Sequence, residues 1–178
     1  MNIFMVDKDP VIAAQSLVDK HVVKMILESC QLLSTAHRII DGTQYTDKSK
    51  SGRNVKRWKL YDSREPVVYQ ATHINHPSAV WCRSSVENYT WLVEHMYALI
   101  DEYKHRYHKV HKCLDVAYML QSPPNNLKEY DLTSMPCAMD KQYIISDDPL
   151  TNYRNYYKVG KKDLHVWTNR QPPEWINQ

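Results

Sequence analysis

A helical segment near the start of the chain carries three side chains that can do chemistry. Residues 17–28 read LVDKHVVKMILE, and on a helix His21, Lys24 and Glu28 share one stripe. An imidazole, an ammonium and a carboxylate are groups that proteins use for proton transfer and nucleophilic attack. A solvent-exposed face, with an ion pair between Lys24 and Glu28 one turn apart, explains the same spacing without any chemistry.

The elements that must hold this stripe are predicted to be helices. Asp9-Pro10 is a typical helix start, and apolar residues at helical spacing continue from there to Asp41-Gly42. A second main helix is predicted from Pro77-Ser78 to about Arg106, on the same three-to-four periodicity. The stripe therefore lies in the middle of the first of several long helices.

The rest of the chain adds two helices and little else that is regular. A third main helix is predicted to begin at Asp148-Pro149 and to end near Gly160, and residues 113–121 predict a short one. Weak strand candidates occur at residues 69–74 and 142–146. We therefore predict an all-α or nearly all-α fold with three main helices and long irregular connections.

Two of these connections are long within what we predict to be a single compact domain of residues 1–178. The segment at about 42–66 is polar and basic and lacks periodicity, so it is predicted to be a loop or arm. The C-terminal tail, about 168–178, is predicted to be extended.

The composition favours a cytoplasmic enzyme or binding protein. A hydrophobic content of 43% with 24% charged residues is typical of a globular chain. Asp7 and Asp9 interrupt the region where a signal peptide would be apolar, and no stretch reaches the length of a membrane span, so no membrane partner is expected. The four cysteines are widely spaced, which argues against a zinc ribbon, and we expect no metal or cofactor.

The net charge is only +3, but the positive charge is concentrated in three runs at residues 48–64, 103–112 and 153–162. Basic runs interleaved with Tyr and Trp are typical of surfaces that contact nucleic acid, because phosphate contact and base stacking act together. Solvated faces are the alternative explanation for each run. The candidate DNA-binding residues are Arg53, Lys56, Arg57, Lys59, Arg154, Tyr156, Tyr157, Lys158 and Lys161.

The segment with the stripe resembles the first helix of the phage-type pyrimidine-dimer DNA glycosylases, the endonuclease V type. These proteins carry Leu-x-Asp-x-His with a glutamate seven residues after the histidine, and Leu17, Asp19, His21 and Glu28 match that pattern. Two further blocks are more weakly similar to segments of the same family, residues 134–145 and 153–161.

The resemblance implies a mainly α-helical enzyme that removes a damaged, flipped-out pyrimidine from double-stranded DNA. In such an enzyme the N-terminal α-amine attacks the sugar C1′ to form an imine, and β-elimination then cleaves the strand at the abasic site. It assigns proton transfer to Glu28 and DNA contact or orientation to His21. A free α-amine suits this role, because its usual pKa of about 7.8 leaves roughly 400-fold more free base at neutral pH than a lysine near 10.4.

The sequence also departs from the family pattern. Leu27 and Gln31 stand where the family has arginines beside its glutamate. Asn2 follows Met1, and an Asn there normally leaves Met1 in place, so either residue could supply the amine; Lys24 is the substitute nucleophile if neither amine reaches Glu28. The candidate catalytic residues are thus Met1, Asn2, His21, Lys24 and Glu28.

Three other functions remain open on the sequence alone. One is a related enzyme that acts on a different base, a nucleotide or a small carbonyl compound. Another is a non-catalytic nucleic-acid-binding protein. The third is a metal-dependent hydrolase built on histidines that no carboxylate or cysteine accompanies at ligand spacing: His73, His76, His105, His108 and His111. His76, which precedes a proline at a helix start, has a structural explanation as well.

Overall fold

The computed structural model describes residues 1–177, and helices dominate it. The α-helices are α1 (Pro10–Ser16), α2 (Asp19–Asp41), α3 (Pro77–Cys82), α4 (Val86–Tyr107), α5 (Leu114–Met119) and α6 (Pro149–Asn155). Two antiparallel strands, β1 (Thr43–Lys48) and β2 (Asn54–Lys59), form the one sheet found within residues 1–177. The prediction of a nearly all-α fold is confirmed.

Short helical turns of other types complete the described part of the chain. A π-helical turn, Tyr156–Gly160, continues α6, and 3-10 turns occur at Lys141–Tyr143, Lys162–Leu164 and Glu174–Ile176. The strand candidates at residues 69–74 and 142–146 are wrong, because the first is irregular and the second overlaps a 3-10 turn.

The predicted first helix is divided into α1 and α2 at Leu17 and Val18. Both residues are fully buried and have extended backbones. The backbone N–H of Val18 donates to the hydroxyl of Tyr157 at 3.2 Å, and the N–H of Asp19 donates to the carbonyl of Val166 at 2.9 Å. Because Tyr157 and Val166 accept from these two N–H groups, the helix can be interrupted here without leaving either donor unpaired.

The predicted second helix is divided in the same way, into α3 and α4. Ser85 has an extended backbone, and its hydroxyl accepts from the N–H of Asn88 at 3.1 Å as the N-cap of α4. A side-chain cap stabilises the start of a helix, so α4 can begin anew at this point. The apolar periodicity continues across the break and therefore did not reveal it. The third predicted main helix is short, since α6 ends at Asn155 and a π-helical turn follows.

The segment predicted as a loop or arm at about 42–66 contains a β-hairpin. Its pairing runs from Thr43 opposite Lys59 to Lys48 opposite Asn54, and Gly52 in the turn has a φ of 78°. All six residues of β1 are exposed, so the strand has no apolar alternation that a sequence could reveal. The predicted extended tail includes the turn Glu174–Ile176, and its last residue, Gln178, lies outside the described residues.

The hydrophobic core lies between the two long helices and the start of the chain. Helix α4 packs against both α1 and α2. Ile3, Phe4 and Val6 are buried at 1%, 4% and 0% exposure, so the N-terminal segment is part of the core and not a surface extension. No helix within residues 1–177 combines the length and the apolar character needed to cross a membrane.

Arg38, near the end of α2, is fully buried and organises the segment that follows the helix. Its guanidinium pairs with the Glu65 carboxylate at 2.6 Å. It also donates to four backbone carbonyls, those of Trp58, Glu65, Tyr69 and Val68. One side chain therefore fixes the hairpin base and residues 65–69 against α2.

Replacing Arg38 with lysine should destabilise the protein strongly. An ammonium keeps the charge but offers three donors without the planar fork, so buried carbonyls lose their partners. We expect the free energy of unfolding, measured with urea, to fall by about 2–4 kcal/mol. Arg57→Lys in the hairpin is the matched control and should change stability by less than about 0.5 kcal/mol. Equal effects of the two substitutions would contradict this account.

Candidate active site

The first two backbone nitrogens of the chain lie against the carboxylate of Glu28. The nitrogen of Asn2 donates to Glu28 Oε2 at 3.0 Å, and the nitrogen of Met1 lies 3.9 Å from the same oxygen. Lys24 Nζ is 3.2 Å from the other oxygen, Oε1. Glu28 is only 8% exposed, so this charged contact is made largely out of water. Buried charges of this kind persist when they are paired.

The side chain of Asn2 holds the start of the chain in this position. Its Oδ1 accepts from the N–H of Ile3 at 2.8 Å, and its Nδ2 donates to the carbonyl of Ala138 at 2.8 Å. The segment around Ala138 belongs to the block 134–145, which therefore forms one wall beside the leading nitrogens. The buried side chain of Ile3 anchors the segment on the core side.

Phe4 bends the N-terminal segment into place. Its φ of 58° lies in the left-handed region, which costs a residue with a Cβ of order 1–2 kcal/mol. Its ring stacks on His21, with centroids 4.4 Å apart and planes at 15°, and meets Tyr153 and Tyr157 edge-on. These aromatic contacts offset the backbone strain and keep the chain start pointed at α2.

His21 is buried and is fixed by a hydrogen bond from the other end of the chain. The Tyr157 hydroxyl accepts from the N–H of Val18, so its own proton is available to His21 Nδ1, 2.6 Å away. Burial lowers the pKa of His21 to about 4, and the charges of Lys161 and Lys24 act in the same direction. At neutral pH the ring is therefore uncharged, which suits orientation better than proton transfer.

The ion pair between Lys24 and Glu28 that the alternative explanation expected is present, but the prediction of a solvent-exposed face is wrong. His21, Glu28, Thr35 and Arg38 are all buried, while Lys24 stays exposed. The N-terminal segment covers the first two of these residues. The segment near residue 72 covers Thr35, whose Oγ1 accepts from the backbone N–H there at 3.1 Å.

His76, at the start of α3, lies close enough to the start of the chain and to Glu28 for their charges to act on it. Its Nδ1 accepts from the N–H of Ser78 at 3.2 Å, which is the predicted structural role at the start of α3. Burial lowers the pKa of His76, the positive amine of Met1 lowers it further, and the negative charge of Glu28 opposes both. His76 therefore lies within the electrostatic field of the leading nitrogens and the carboxylate. Only the folding of the 60–76 segment across α2 brings it there.

A sequence model of the pyrimidine dimer DNA glycosylase family matches residues 1–115 of the 178-residue chain. The chain belongs to this family. The match contains the leading nitrogens, Glu28, His21 and His76, and the protein is accordingly an enzyme of the DNA glycosylase class. Neither a curated protein nor a solved structure matches the chain.

The C-terminal candidates of this glycosylase are placed in two different ways. Tyr156 is half-buried, and Lys161 Nζ lies 4.7 Å from its ring centroid. The positive charge of the same lysine lowers the pKa of His21. Tyr157 is fully buried, and Arg154 donates to the carbonyl of Val6 at 2.8 Å and pairs with an aspartate. Tyr156, Lys158 and Lys161 keep accessible surface, whereas Tyr157 has none to offer to DNA.

The hairpin candidates form a separate group. Arg53, Lys56 and Lys59 are exposed and Arg57 is half-buried. No hydrogen bond or ion pair links them to the leading nitrogens or to Glu28 in the part of the chain that the structure describes. Within residues 1–177 no cluster of three His, Cys, Asp or Glu side chains could hold a metal ion.

The buried, uncharged state of His21 predicts a loss of stability in mild acid. Its folded-state pKa of about 4 lies below the ordinary value of 6.5, so the unfolded chain binds more protons between these values. Stability is fully present above about pH 6.5 and falls as the pH approaches 4. The contribution of His21 lost between about pH 7 and about pH 5 is about 2 kcal/mol.

The measurement is urea unfolding of wild type and His21→Asn at both pH values. The variant should be less stable at pH 7 but should lose about 2 kcal/mol less on acidification. His108→Asn is the control, because His108 is exposed with a φ of 55° that asparagine tolerates. An undiminished pH dependence in His21→Asn would overturn the neutral assignment.

Proposed function

We propose that the protein removes a damaged pyrimidine from duplex DNA and then cleaves the strand at the abasic site. The nucleophile is the α-amine at the start of the chain, and Glu28 transfers the protons. The observation that carries this proposal is the position of two successive leading nitrogens, 3.9 Å and 3.0 Å from one oxygen of Glu28. Whichever of Met1 and Asn2 begins the chain, its nitrogen lies beside the carboxylate.

The chemistry proceeds in two stages. In the first, the amine lone pair attacks C1′, and the base departs with the electrons of the glycosidic bond and takes the proton that the amine releases. The nitrogen lone pair then expels the ring oxygen O4′, which takes a proton and becomes a hydroxyl, and the opened sugar is left joined to the amine by an iminium at C1′. In the second, Glu28 removes a proton from C2′, and those electrons expel the 3′ phosphate. Water then hydrolyses the imine and frees the amine.

The surroundings of Glu28 suit these steps. A carboxylate that is 8% exposed stabilises the positive charge developing on the sugar more strongly than it would in water. Lys24 Nζ, 3.2 Å from Oε1, orients the carboxylate without blocking Oε2, which faces the leading nitrogens. His21 supports the N-terminal segment through its stack on Phe4, which makes it a positioning residue.

The DNA must reach a recessed site, which requires the damaged base to be flipped out of the stack. Lys24, with 66% of its side chain exposed, and Lys161 both lower the pKa of His21 through their positive charge. Together with Tyr156 and Lys158 they form a basic, aromatic rim suited to the phosphates beside an extruded nucleotide. Tyr157 is fully buried, and the half-buried Arg154 pairs with the carboxylate of Asp7 at 3.0 Å.

Glu28→Gln tests the role of the carboxylate. Glutamine retains the size and one oxygen but cannot accept a proton, so single-turnover excision from duplex containing a cyclobutane pyrimidine dimer should fall by about 10²–10⁴-fold. Glu94→Gln, at an exposed position of α4, should remain close to wild type. A Glu28→Gln enzyme as active as the control would refute proton transfer by this residue.

The identity of the nucleophile is tested by trapping the imine with borohydride and locating the adduct by mass spectrometry. We expect the sugar remnant on the α-nitrogen of Met1, or of Asn2 in molecules that have lost Met1. Lys24→Arg keeps the positive charge beside Glu28 but cannot form an imine at neutral pH, and it should still be trapped. An adduct on the Lys24 side chain, abolished in Lys24→Arg, would exclude the α-amine.

If wild type gives no adduct and no product with damaged duplex, the chemistry proposed here fails. Product from free nucleotides or small carbonyl compounds would then indicate the related enzyme with a different substrate. Salt-sensitive DNA binding without any product would indicate a binding protein that has kept the scaffold alone.

A further inference from the structure

The hairpin formed by β1 and β2, residues 43–59, stands apart from the core. Every residue of β1 is exposed, and in β2 only Trp58, near the base, is buried. An isolated two-stranded hairpin is at best marginally stable in water, so this one depends on how it is attached. A strongly exposed ribbon that the protein nevertheless keeps ordered is a candidate interaction surface.

The attachment at the base of the hairpin is rigid. Arg38 Nη1 donates to the carbonyl of Trp58 at 2.9 Å, and Glu65, paired with Arg38, accepts from the N–H of Leu60 at 2.8 Å. At Gly42 a Cβ would come 2.4 Å from the carbonyl oxygen of Arg38 and 3.1 Å from Trp58 Cβ. Glycine therefore lets β1 leave α2 directly, with no flexible linker between helix and hairpin.

The hairpin carries positive charge that nothing in the described chain neutralises. Its six cations are Lys48, Lys50, Arg53, Lys56, Arg57 and Lys59, and Asp47 is its one acidic residue. None of the six makes an ion pair with a carboxylate in residues 1–177. Beside the base, Lys59 Nζ lies 5.6 Å from the ring centroid of Tyr61, whose side chain is 74% exposed. Such a surface is complementary to a polyanion.

The distance from Glu28 to the hairpin tip is comparable to one turn of B-form DNA. From Glu28 to Asp41 the helix α2 rises about 20 Å, at about 1.5 Å per residue. Each strand adds about 20 Å, at roughly 3.3 Å per residue. The hairpin tip therefore lies within about 40 Å of Glu28, and one turn of B-form DNA is about 34 Å. A duplex whose flipped nucleotide occupies the Glu28 site extends through this range.

We propose that the hairpin is a DNA-binding arm separate from the Glu28 site. It lies in a groove of the duplex whose flipped nucleotide occupies that site, up to about one helical turn from the damaged nucleotide. The major groove admits a two-stranded ribbon, and lysine and arginine side chains along both strands contact the phosphates that border it. Contacts of this kind are independent of sequence, which suits an enzyme whose target is a lesion. The inference rests on the proposed function for the position of the duplex.

The test compares two variants with the same change in charge. Lys50→Gln/Arg53→Gln removes two cations from the hairpin turn, and Lys8→Gln/Lys128→Gln removes two exposed lysines elsewhere. Binding to a duplex of about 30 base pairs with a central abasic-site analogue is measured over a range of salt concentrations. The hairpin variant should bind about tenfold or more weakly at 0.1 M salt, and its slope of log K against log salt should decrease by up to about 2. The control should stay within about twofold of wild type.

The second part of the experiment varies the length of the duplex. A duplex of about 8 base pairs extends only about 14 Å on each side of the centre, which is less than the rise of about 20 Å from Glu28 to the hairpin base. The advantage of the long duplex over the short one should be present in wild type and the control and lost in the hairpin variant. Urea unfolding of both variants checks that each is folded like wild type.

Two results would overturn the proposal that the hairpin is a DNA-binding arm. One is an equal loss of affinity for the long duplex in the hairpin variant and the control variant. Affinity would then depend on the overall charge of the protein and not on the position of the cations. The other is unchanged affinity of the hairpin variant for the long duplex. Borohydride trapping by wild type reports the proposed chemistry separately: binding that depends on the hairpin without any adduct would support the arm and refute the chemistry.

Discussion

The contact between the start of the chain and Glu28 is the constraint on which this structure depends. A terminal amine is ordinarily a solvated charge, but here Ile3, Phe4 and Val6 are drawn into the core and bring the leading nitrogens with them. A positive group placed there needs a buried acceptor, and Glu28 is the carboxylate that meets it. The same contact closes the N-terminal segment onto α2 and places the leading nitrogens beside a carboxylate, so no further ordering of the chain is needed to bring these groups together.

The remainder of the chain maintains this contact from outside the family match. The match ends at residue 115, yet the Asn2 side chain bonds to Ala138, and Tyr157 bonds to both His21 and Val18. Tyr153 and Tyr157 also pack edge-on against Phe4, the residue with the strained backbone. Strain at a functional site persists only where neighbouring packing over-determines it. The C-terminal segment supplies that packing.

The sequence revealed the residues that share a stripe, but not which of them are buried. Periodicity placed His21, Lys24 and Glu28 correctly on one side of a helix, because the side-chain angle depends only on local geometry. Whether that side faces water depends on the N-terminal segment, which has no periodicity. The hairpin escaped prediction for a related reason: β1 is exposed on both faces, so nothing in its apolar pattern distinguishes strand from loop. His76 comes within reach of the charge of Glu28 through long-range folding alone.

Helix α2 connects the carboxylate beside the leading nitrogens to the base of the hairpin. Glu28 lies in its first half, and Arg38, which fixes the hairpin base, lies three turns later. Because no loop intervenes, the separation and rotation between the Glu28 carboxylate and the hairpin base are set by helix geometry, about 1.5 Å and 100° per residue. One residue added between Glu28 and Arg38 would turn the hairpin by about 100° about the helix axis and bury a different side chain in place of Arg38. The length of this segment is therefore constrained twice, by the burial of Glu28 beside the leading nitrogens and by the burial of Arg38 at the hairpin base.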